Sequence, residues 1–334
     1  MVPKYSTPGA GWFPRSVPSH CLRFSDWFPL ETDSGPEARH GSHQPNPIVR
    51  ANGMSRRIPV LLLAVLLFAP VRPARAQQVP PKPALRILVV NDDGYQAPGL
   101  RALVDSLLPI AQVSVVAPYQ QQSGTGHALS FRDPIKVFEF GNPYGITWYA
   151  VDAHPATVVR VALATLLDSL PDLVVSGINT GDNVGTSAWV SGTAAAAREA
   201  ALNGLPAIAF SVNPTGVDAY AHAAGWARRI VERLQADGRL GAPLLLNVNL
   251  QAQQPAGIRV APMSLQIGVQ HYDRRVSPRG QVYLWDEWQP PTDDPVEGTD
   301  LWWFHRGYIT ITPLSIDQTD RAAIPGLDRL FSGK

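Results

Sequence analysis

Two adjacent carboxylates directly follow an apolar segment of the chain. RILVVNDDGYQAPGL runs through Ile87–Val90 into Asn91-Asp92-Asp93-Gly94. Neighbouring carboxylates repel each other and resist removal from water, and a bound cation would offset both effects. Because these side chains offer only oxygen, one hard divalent ion (Mg²⁺ or Mn²⁺, with Ca²⁺ as an option) is favoured over zinc. The alternative is a solvated turn in which one aspartate caps the next helix.

Two further polar loops also follow apolar segments. They are YQQQSGTGH, at residues 119–127, and SGINTGDNVG, at residues 176–185. Ligands of open parallel sheets gather at the carboxyl ends of the strands, so the three loops are expected to meet at one edge. The predicted metal ligands are their oxygen-bearing side chains: Asp92, Asp93, Ser123 and Asn179.

A predicted helix that begins near Ser191 adds an anion site. Ser191, Gly192 and Thr193 offer hydroxyls and free N–H groups at its N-terminus, where phosphate binds favourably. Ordinary capping by Ser191 is compatible with this role. A cation beside an anion indicates metal-assisted phosphoryl chemistry, with Asp92 or Asp93 as the catalytic proton acceptor. The absence of a Walker lysine motif argues against an NTPase or a kinase.

Other residues of the same loops are predicted to contact the substrate. Glycines there allow sharp turns or a close approach of backbone to a ligand. His127 is a candidate for acid–base chemistry, with loop packing as the alternative. The predicted phosphate or substrate contacts outside the helix N-terminus are Asn91, Gly124, His127, Gly181 and Asn183.

Apolar strand-like segments alternate with helical patterns after residue 84. This alternation predicts an α/β fold with a mostly parallel sheet and helices on both faces. The predicted strands are Leu85–Val90, Gln112–Ala117, Ile135–Phe140, Ile146–Val151, Asp172–Ser176, Ala207–Ser211 and Pro243–Leu250, of which the third and fourth form a hairpin. The predicted helices are Pro98–Leu108, Pro155–Leu170, Ser191–Asn203 and Asp218–Gln235.

The C-terminal part of the chain has a different pattern. Beyond residue 257, short alternating segments, several tryptophans and many turn residues predict antiparallel hairpins. We therefore expect an α/β core at residues 85–256 and a β-rich extension at residues 257–334. Its aromatic residues suit either a core or a contact between subunits.

The N-terminal part predicts export. Residues 54–76 have a basic start, an apolar segment and the small-residue pattern Ala74-Arg75-Ala76, as in a secretory signal peptide. A retained membrane anchor is the alternative. Residues 1–53 show no regular period, which suggests either a disordered leader or a translation start at Met54, and residues 77–84 form a Pro-rich linker. After cleavage, no membrane span is expected.

Charge and cysteine content exclude other classes of function. Of 28 basic and 27 acidic residues, 9 and 4 lie before residue 77, so the remainder carries a net charge of −4. This balance gives no reason to expect duplex nucleic acid as a partner. The single cysteine, Cys21, lies in the leader, so thiol chemistry is not expected after cleavage.

The motifs resemble, in order, those of the survival-protein SurE nucleotidases. They are RILVVNDDGYQAPGL, VVAPYQQQSGTGHALS, PDLVVSGINTGDNVG, SGTAAAAREA and GTDLWWFHRGYITITPL, spanning roughly residues 85–313. The resemblance implies a Rossmann-like fold whose C-terminal extension exchanges between subunits, and thus a homodimer or homotetramer. It also implies a metal-dependent enzyme that hydrolyses nucleoside 5′- and 3′-monophosphates, with ligands at the four positions named above. Some members also cleave short polyphosphate.

The sequence departs from the family pattern at three positions. Tyr119 stands where the family usually has aspartate, and His154 and Thr157 replace a threonine and an aspartate. These changes leave the predicted ligands intact and bear on substrate preference. Family members are usually cytoplasmic, which is the alternative to export. A broad acid phosphatase or exopolyphosphatase and a non-catalytic nucleotide-binding module are the alternative functions.

Overall fold

A computed structural model describes residues 85–241, 243–289, 291 and 295–332. The predicted leader, signal peptide and linker therefore lie outside the described residues. Within the described ranges, no helix combines the length and the apolar character that a bilayer span requires.

A nine-stranded sheet organises the chain. Its order is β3-β4-β2-β1-β5-β6-β7-β11-β8, and the six strands from β4 to β7 are parallel. The strands are β1 (Leu85–Val90), β2 (Ala111–Pro118), β3 (Val137–Glu139), β4 (Trp148–Val151), β5 (Leu173–Thr180), β6 (Ala207–Val212), β7 (Leu245–Leu250), β8 (Gly257–Val260), β9 (Val269–Val276), β10 (Val282–Gln289) and β11 (Tyr308–Pro313). The predicted mostly parallel α/β fold is confirmed.

Helices cover both faces of the sheet, as the apolar character of its strands requires. Apolar residues of α1 and α5 pack on one face, and those of α2 and α4 pack on the other. The helices are α1 (Pro98–Leu107), α2 (Pro155–Val161), α3 (Ser187–Val190), α4 (Gly192–Leu202), α5 (Ala219–Ala236), α6 (Asp300–Phe304) and α7 (Ile324–Ser332).

Some elements differ from the predictions. The helix expected over Pro155–Leu170 is α-helical only to Val161 and continues as a π-helical turn, Ala162–Leu166. β3 pairs antiparallel with β4, as predicted, but it is only three residues long.

The C-terminal region contains one antiparallel hairpin, β9–β10, which matches the predicted pattern. β8 and β11 instead join the main sheet. β11 pairs antiparallel with β7 and parallel with β8. A local alternation of residues indicates a strand but not its partner, which explains the difference.

Close packing of α1 on β5 requires a glycine. A Cβ at Gly99 would lie 2.1 Å from the Ile178 carbonyl oxygen. By contrast, a Cβ at Gly225, inside α5, would have no atom within 4 Å.

We expect Gly99→Ala to lower the free energy of unfolding by roughly 2 kcal/mol, because backbone must move to accept the methyl group. Gly225→Ala is the matched control. It should raise stability by about 0.5–1 kcal/mol, since alanine favours a helix interior. Urea denaturation measures both, and equal effects of the two substitutions would contradict the packing described.

Candidate active site

Hydrogen bonds between loops hold the ends of β1, β2 and β5 together. The Gln122 N–H donates to the Asp92 carbonyl oxygen at 2.7 Å, and the Tyr95 N–H donates to the Pro118 carbonyl at 2.8 Å. On the other side, the Thr180 N–H donates to Asp93 Oδ2 at 2.8 Å. The three polar loops therefore meet at the carboxyl edge of the sheet.

Asp92 is a buried carboxylate, with 2% of its surface exposed. Thr193 Oγ1 donates a hydrogen bond of 2.5 Å to Asp92 Oδ1. Burial raises the pKa of Asp92, and the charge of Asp93 raises it further. The hydrogen bond from Thr193 lowers it, and the resulting pKa is about 6. The protein thus compensates the charged form of Asp92 only in part.

Asp93 lies in a similar environment. Burial raises its pKa, while hydrogen bonds from the backbone and hydroxyl of Thr180 oppose the shift. Among the residues that the structure describes, neither Asp92 nor Asp93 forms an ion pair with a basic side chain. Two neighbouring acids without a positive partner are an arrangement that a cation stabilises.

The N-terminus of α4 packs directly on Asp92. A Cβ at Gly192 would lie 2.8 Å from Asp92 Cβ and 2.9 Å from Asp92 Oδ2. Ser191 Oγ accepts a hydrogen bond from the Ala194 N–H at 3.0 Å and so caps the helix. Ser191 and Thr193 therefore already have partners, and the helix presents its positive end next to the acids.

Of the other two predicted metal ligands, Ser123 lies in the loop after β2, and Asn179 lies near the carboxyl end of β5. Asn179 is buried and donates from Nδ2 to the Gly181 carbonyl at 2.7 Å, which leaves Oδ1 without a donor among the described residues. Ser123 is exposed, and its backbone N–H donates to Gln121 Oε1. Its hydroxyl makes no hydrogen bond within the described ranges.

Two observations test whether these residues suit a metal ion. The buried Asn91 Oδ1 has no hydrogen-bond partner in the described part of the chain, while Asn91 Nδ2 donates to the Gly94 carbonyl. In addition, the described part of the chain contains no group of three or more His, Cys, Asp or Glu side chains placed to hold a metal. Two carboxylates with neutral oxygen atoms suit a hard dication such as Mg²⁺ or Mn²⁺ and not zinc.

Asn183, a predicted substrate contact, is buried in a polar network at the ends of β6 and β7. Its N–H donates to Asn249 Oδ1 at 2.7 Å, and its Nδ2 donates to Ser211 Oγ at 2.8 Å. Asn247 Nδ2 donates to the Asn183 carbonyl oxygen. These bonds fix the loop after β5, and a contact of Asn183 with substrate stays a prediction.

Asp300 anchors the same loop from the C-terminal region. This fully buried acid accepts hydrogen bonds from the N–H groups of Gly185 and Ser264 at 2.8 and 2.7 Å. The loop after β5 is therefore held from α6 as well as from the sheet.

A cluster of polar side chains around the buried Glu199 of α4 was not predicted from the sequence. Glu199 has 2% side-chain exposure, and its Oε2 lies 2.8 Å from His127 Nε2. Arg160 Nε donates to Glu199 Oε1 at 2.7 Å, and Asn203 Nδ2 donates to the same oxygen at 3.0 Å. A signal for it was present all the same: Glu199 is a single acid in an alanine-rich helix.

The Glu199 cluster fixes His127 and its loop against α4. The Gly126 N–H also donates to the Val190 carbonyl at 2.9 Å. Burial tends to raise the pKa of Glu199, but the hydrogen bonds from Arg160 and His127 outweigh it, so this pKa lies below its ordinary value. Gln122 Oε1 lies 2.8 Å from His154 Nδ1, which is another contact that the sequence did not indicate.

Comparison with known proteins identifies the family. Residues 87–270 match the family model described as survival protein SurE. The chain belongs to the SurE family. It is 39% identical over 252 residues to a protein of Pelotomaculum thermopropionicum named 5′-nucleotidase SurE, covering 74% of this chain and 95% of that relative.

Two more relatives support the assignment. A Thermus thermophilus protein named 5′-nucleotidase SurE 1 is 41% identical over 255 residues, which cover 75% of this chain and 99% of that protein. The crystal structure of the SurE protein from Aquifex aeolicus matches with a TM-score of 0.64 and 32% identity, covering 73% of this chain and 99% of that chain. The likeness thus extends over nearly the whole of each relative.

We expect Glu199→Gln to lower the free energy of unfolding at pH 7 by roughly 2 kcal/mol, because hydrogen bonds to a charged acceptor are lost. Folding lowers the pKa of Glu199. The ionised side chain therefore contributes to the free energy of unfolding above the unfolded-state pKa, and this contribution is lost as pH falls through the folded-state pKa. The difference between wild type and variant should therefore shrink on acidification.

Urea unfolding at a series of pH values from 7 down to 3 measures this effect. Asp237→Asn is the control, because Asp237 forms an exposed ion pair with Arg239. It should change stability by less than about 1 kcal/mol. A Glu199→Gln effect that stayed constant across the series would count against the ionised state described here.

Proposed function

We propose that this SurE-family chain is a divalent-metal-dependent phosphomonoesterase that hydrolyses nucleoside 5′- and 3′-monophosphates to nucleoside and phosphate. The observation that carries the proposal is the buried Asp92, which lacks a basic partner in the described ranges and lies against the N-terminus of α4. The names of the two sequence relatives support nucleotides as substrates.

The proposed ion is held by oxygen atoms of four side chains. When bound, it supplies positive charge that polarises a phosphoryl oxygen and makes water more acidic. Thr193 donates to Asp92 Oδ1 and Thr180 donates to Asp93 Oδ2, so these two residues orient the carboxylates that would hold the ion. The proposed ligands are Asp92, Asp93, Ser123 and Asn179.

The chain supplies the remaining steps. The N-terminus of α4 binds the phosphate through N–H groups near Gly192 and Thr193, where its dipole favours negative charge. Asp92 or Asp93 accepts a proton from the attacking water. Asn91, Gly124, His127 and Gly181 are proposed to contact the substrate around it.

Further proposals concern the whole protein. We propose that residues 257–334 contribute contacts in a homodimer or homotetramer and that residues 54–76 direct export. Detection of the intact segment on the mature protein by mass spectrometry would refute the second proposal.

The decisive experiment is a phosphate-release assay with AMP, 3′-AMP, polyphosphate and an aryl phosphate, with Mg²⁺ or Mn²⁺ and with EDTA. We expect release from both nucleotides that EDTA abolishes. Asp92→Asn should reduce kcat at least about 10³-fold, because it removes charge at the reacting centre. Equal rates for variant and wild type would refute the assigned site.

The same assay separates the alternatives. Preference for polyphosphate or the aryl phosphate would indicate a broad phosphatase. If the metal-loaded wild type released no phosphate from any substrate but bound AMP, the chain would be a binding module.

Gly192→Ala tests the contact between α4 and Asp92. The added methyl group would push the carboxylate away, and a displacement of about 1 Å can lower kcat roughly 10²-fold. Gly225→Ala, which has open space, is the matched control and should keep full activity. Unchanged kcat in Gly192→Ala would show that this contact does not position the reacting groups.

A further inference from the structure

Four aromatic rings lie in a row beside the candidate active site. In order, they are Phe138, Tyr119, Tyr95 and Phe140. The centroids of Phe138 and Tyr119 are 4.8 Å apart, those of Tyr119 and Tyr95 are 5.6 Å apart, and those of Tyr95 and Phe140 are 4.6 Å apart. These spacings lie within the range of attractive aromatic contacts, so the row is a packed unit.

The two ends of this row have different environments. Tyr95 and Phe140 pack against the main core and fix the β3–β4 hairpin to the domain. Tyr119 and Phe138 stand outside that core, with 38% and 37% of their surfaces exposed. Packing against the core thus accounts for Tyr95 and Phe140. Tyr119 and Phe138 present aromatic surface to solvent.

One residue of the exposed pair, Tyr119, lies at the end of the strand next to the two acids. Tyr119 follows Pro118, the last residue of β2, and β2 is the parallel neighbour of β1, which leads into Asp92 and Asp93. Neighbouring strands lie about 4.8 Å apart. The hydrogen bond from the Tyr95 N–H to the Pro118 carbonyl fixes the two strand ends to each other.

This placement suits a nucleotide, whose base is one ribose away from its phosphate, because Tyr119 comes from the strand next to the acids. Resting on the proposed function, we propose that Tyr119 and Phe138 form a stacking surface for the nucleobase of the bound nucleotide. The exposed surface is aromatic and every base has a π-face, so stacking there tolerates any base. Purines, with the larger ring area, bind better than pyrimidines.

Comparison of AMP with ribose 5-phosphate isolates the base, because the two share the sugar and the phosphate. We expect Tyr119→Leu to raise KM for AMP about ten-fold, in the range measured for loss of one stacking contact. Its kcat should stay unchanged, since this contact is equal in ground and transition states. Kinetics with ribose 5-phosphate should change less than about two-fold.

Two further variants control the experiment. Tyr119→Phe keeps the ring and should retain the wild-type KM for AMP. Tyr272→Leu removes an exposed tyrosine of the β9–β10 hairpin and should affect neither substrate. Equal losses on AMP and ribose 5-phosphate, an unchanged KM for AMP in Tyr119→Leu, or a Tyr119→Phe variant as weak as Tyr119→Leu would each overturn the proposal.

Failure of the proposed function gives a different result. If wild type released phosphate from neither compound, the nucleotidase proposal would be refuted. Calorimetric measurement of AMP binding would then test the stacking surface. An AMP Kd about ten-fold higher in Tyr119→Leu would support the surface, and an unchanged Kd would overturn it.

Discussion

The central constraint in this structure is a pair of adjacent carboxylates, Asp92 buried and Asp93 partly buried, without a basic partner among the described residues. Burial raises the pKa of both acids, and the charge of Asp93 adds to the shift at Asp92. The surroundings reduce this penalty only in part, through hydroxyls, backbone N–H groups and the positive end of α4. A protein that keeps such a pair gains from it only when positive charge arrives from outside.

The supporting structure fixes each acid from one side. Thr193, on α4, holds one oxygen of Asp92, and Thr180, at the end of β5, holds one oxygen of Asp93. The two acids are thus oriented by different elements, one by a helix and the other by a strand. Gly192 is part of the same arrangement, since any side chain there would occupy the space of the Asp92 carboxylate.

Much of the fold follows from local sequence. Apolar segments such as Leu85–Val90 predict buried parallel strands, and their order along the chain predicts that the polar loops meet at one edge. Long-range pairing was not predictable, because β11 finds its partners β7 and β8 through contacts distant in sequence. For the same reason, the pairing of Glu199 with Arg160 and His127 could not be read from spacing, although the acid itself stands out among alanines.

Asp300 gives the C-terminal region a mechanical role. Its carboxylate holds the Gly185 N–H, and β11 covers the edge of β7. A chain cut after residue 256 would therefore change the sheet itself, because the loop after β5 would lose its contact with Asp300 and the edge of β7 would be left open. The Asp300 carboxylate thus joins the loop after β5 to the C-terminal region.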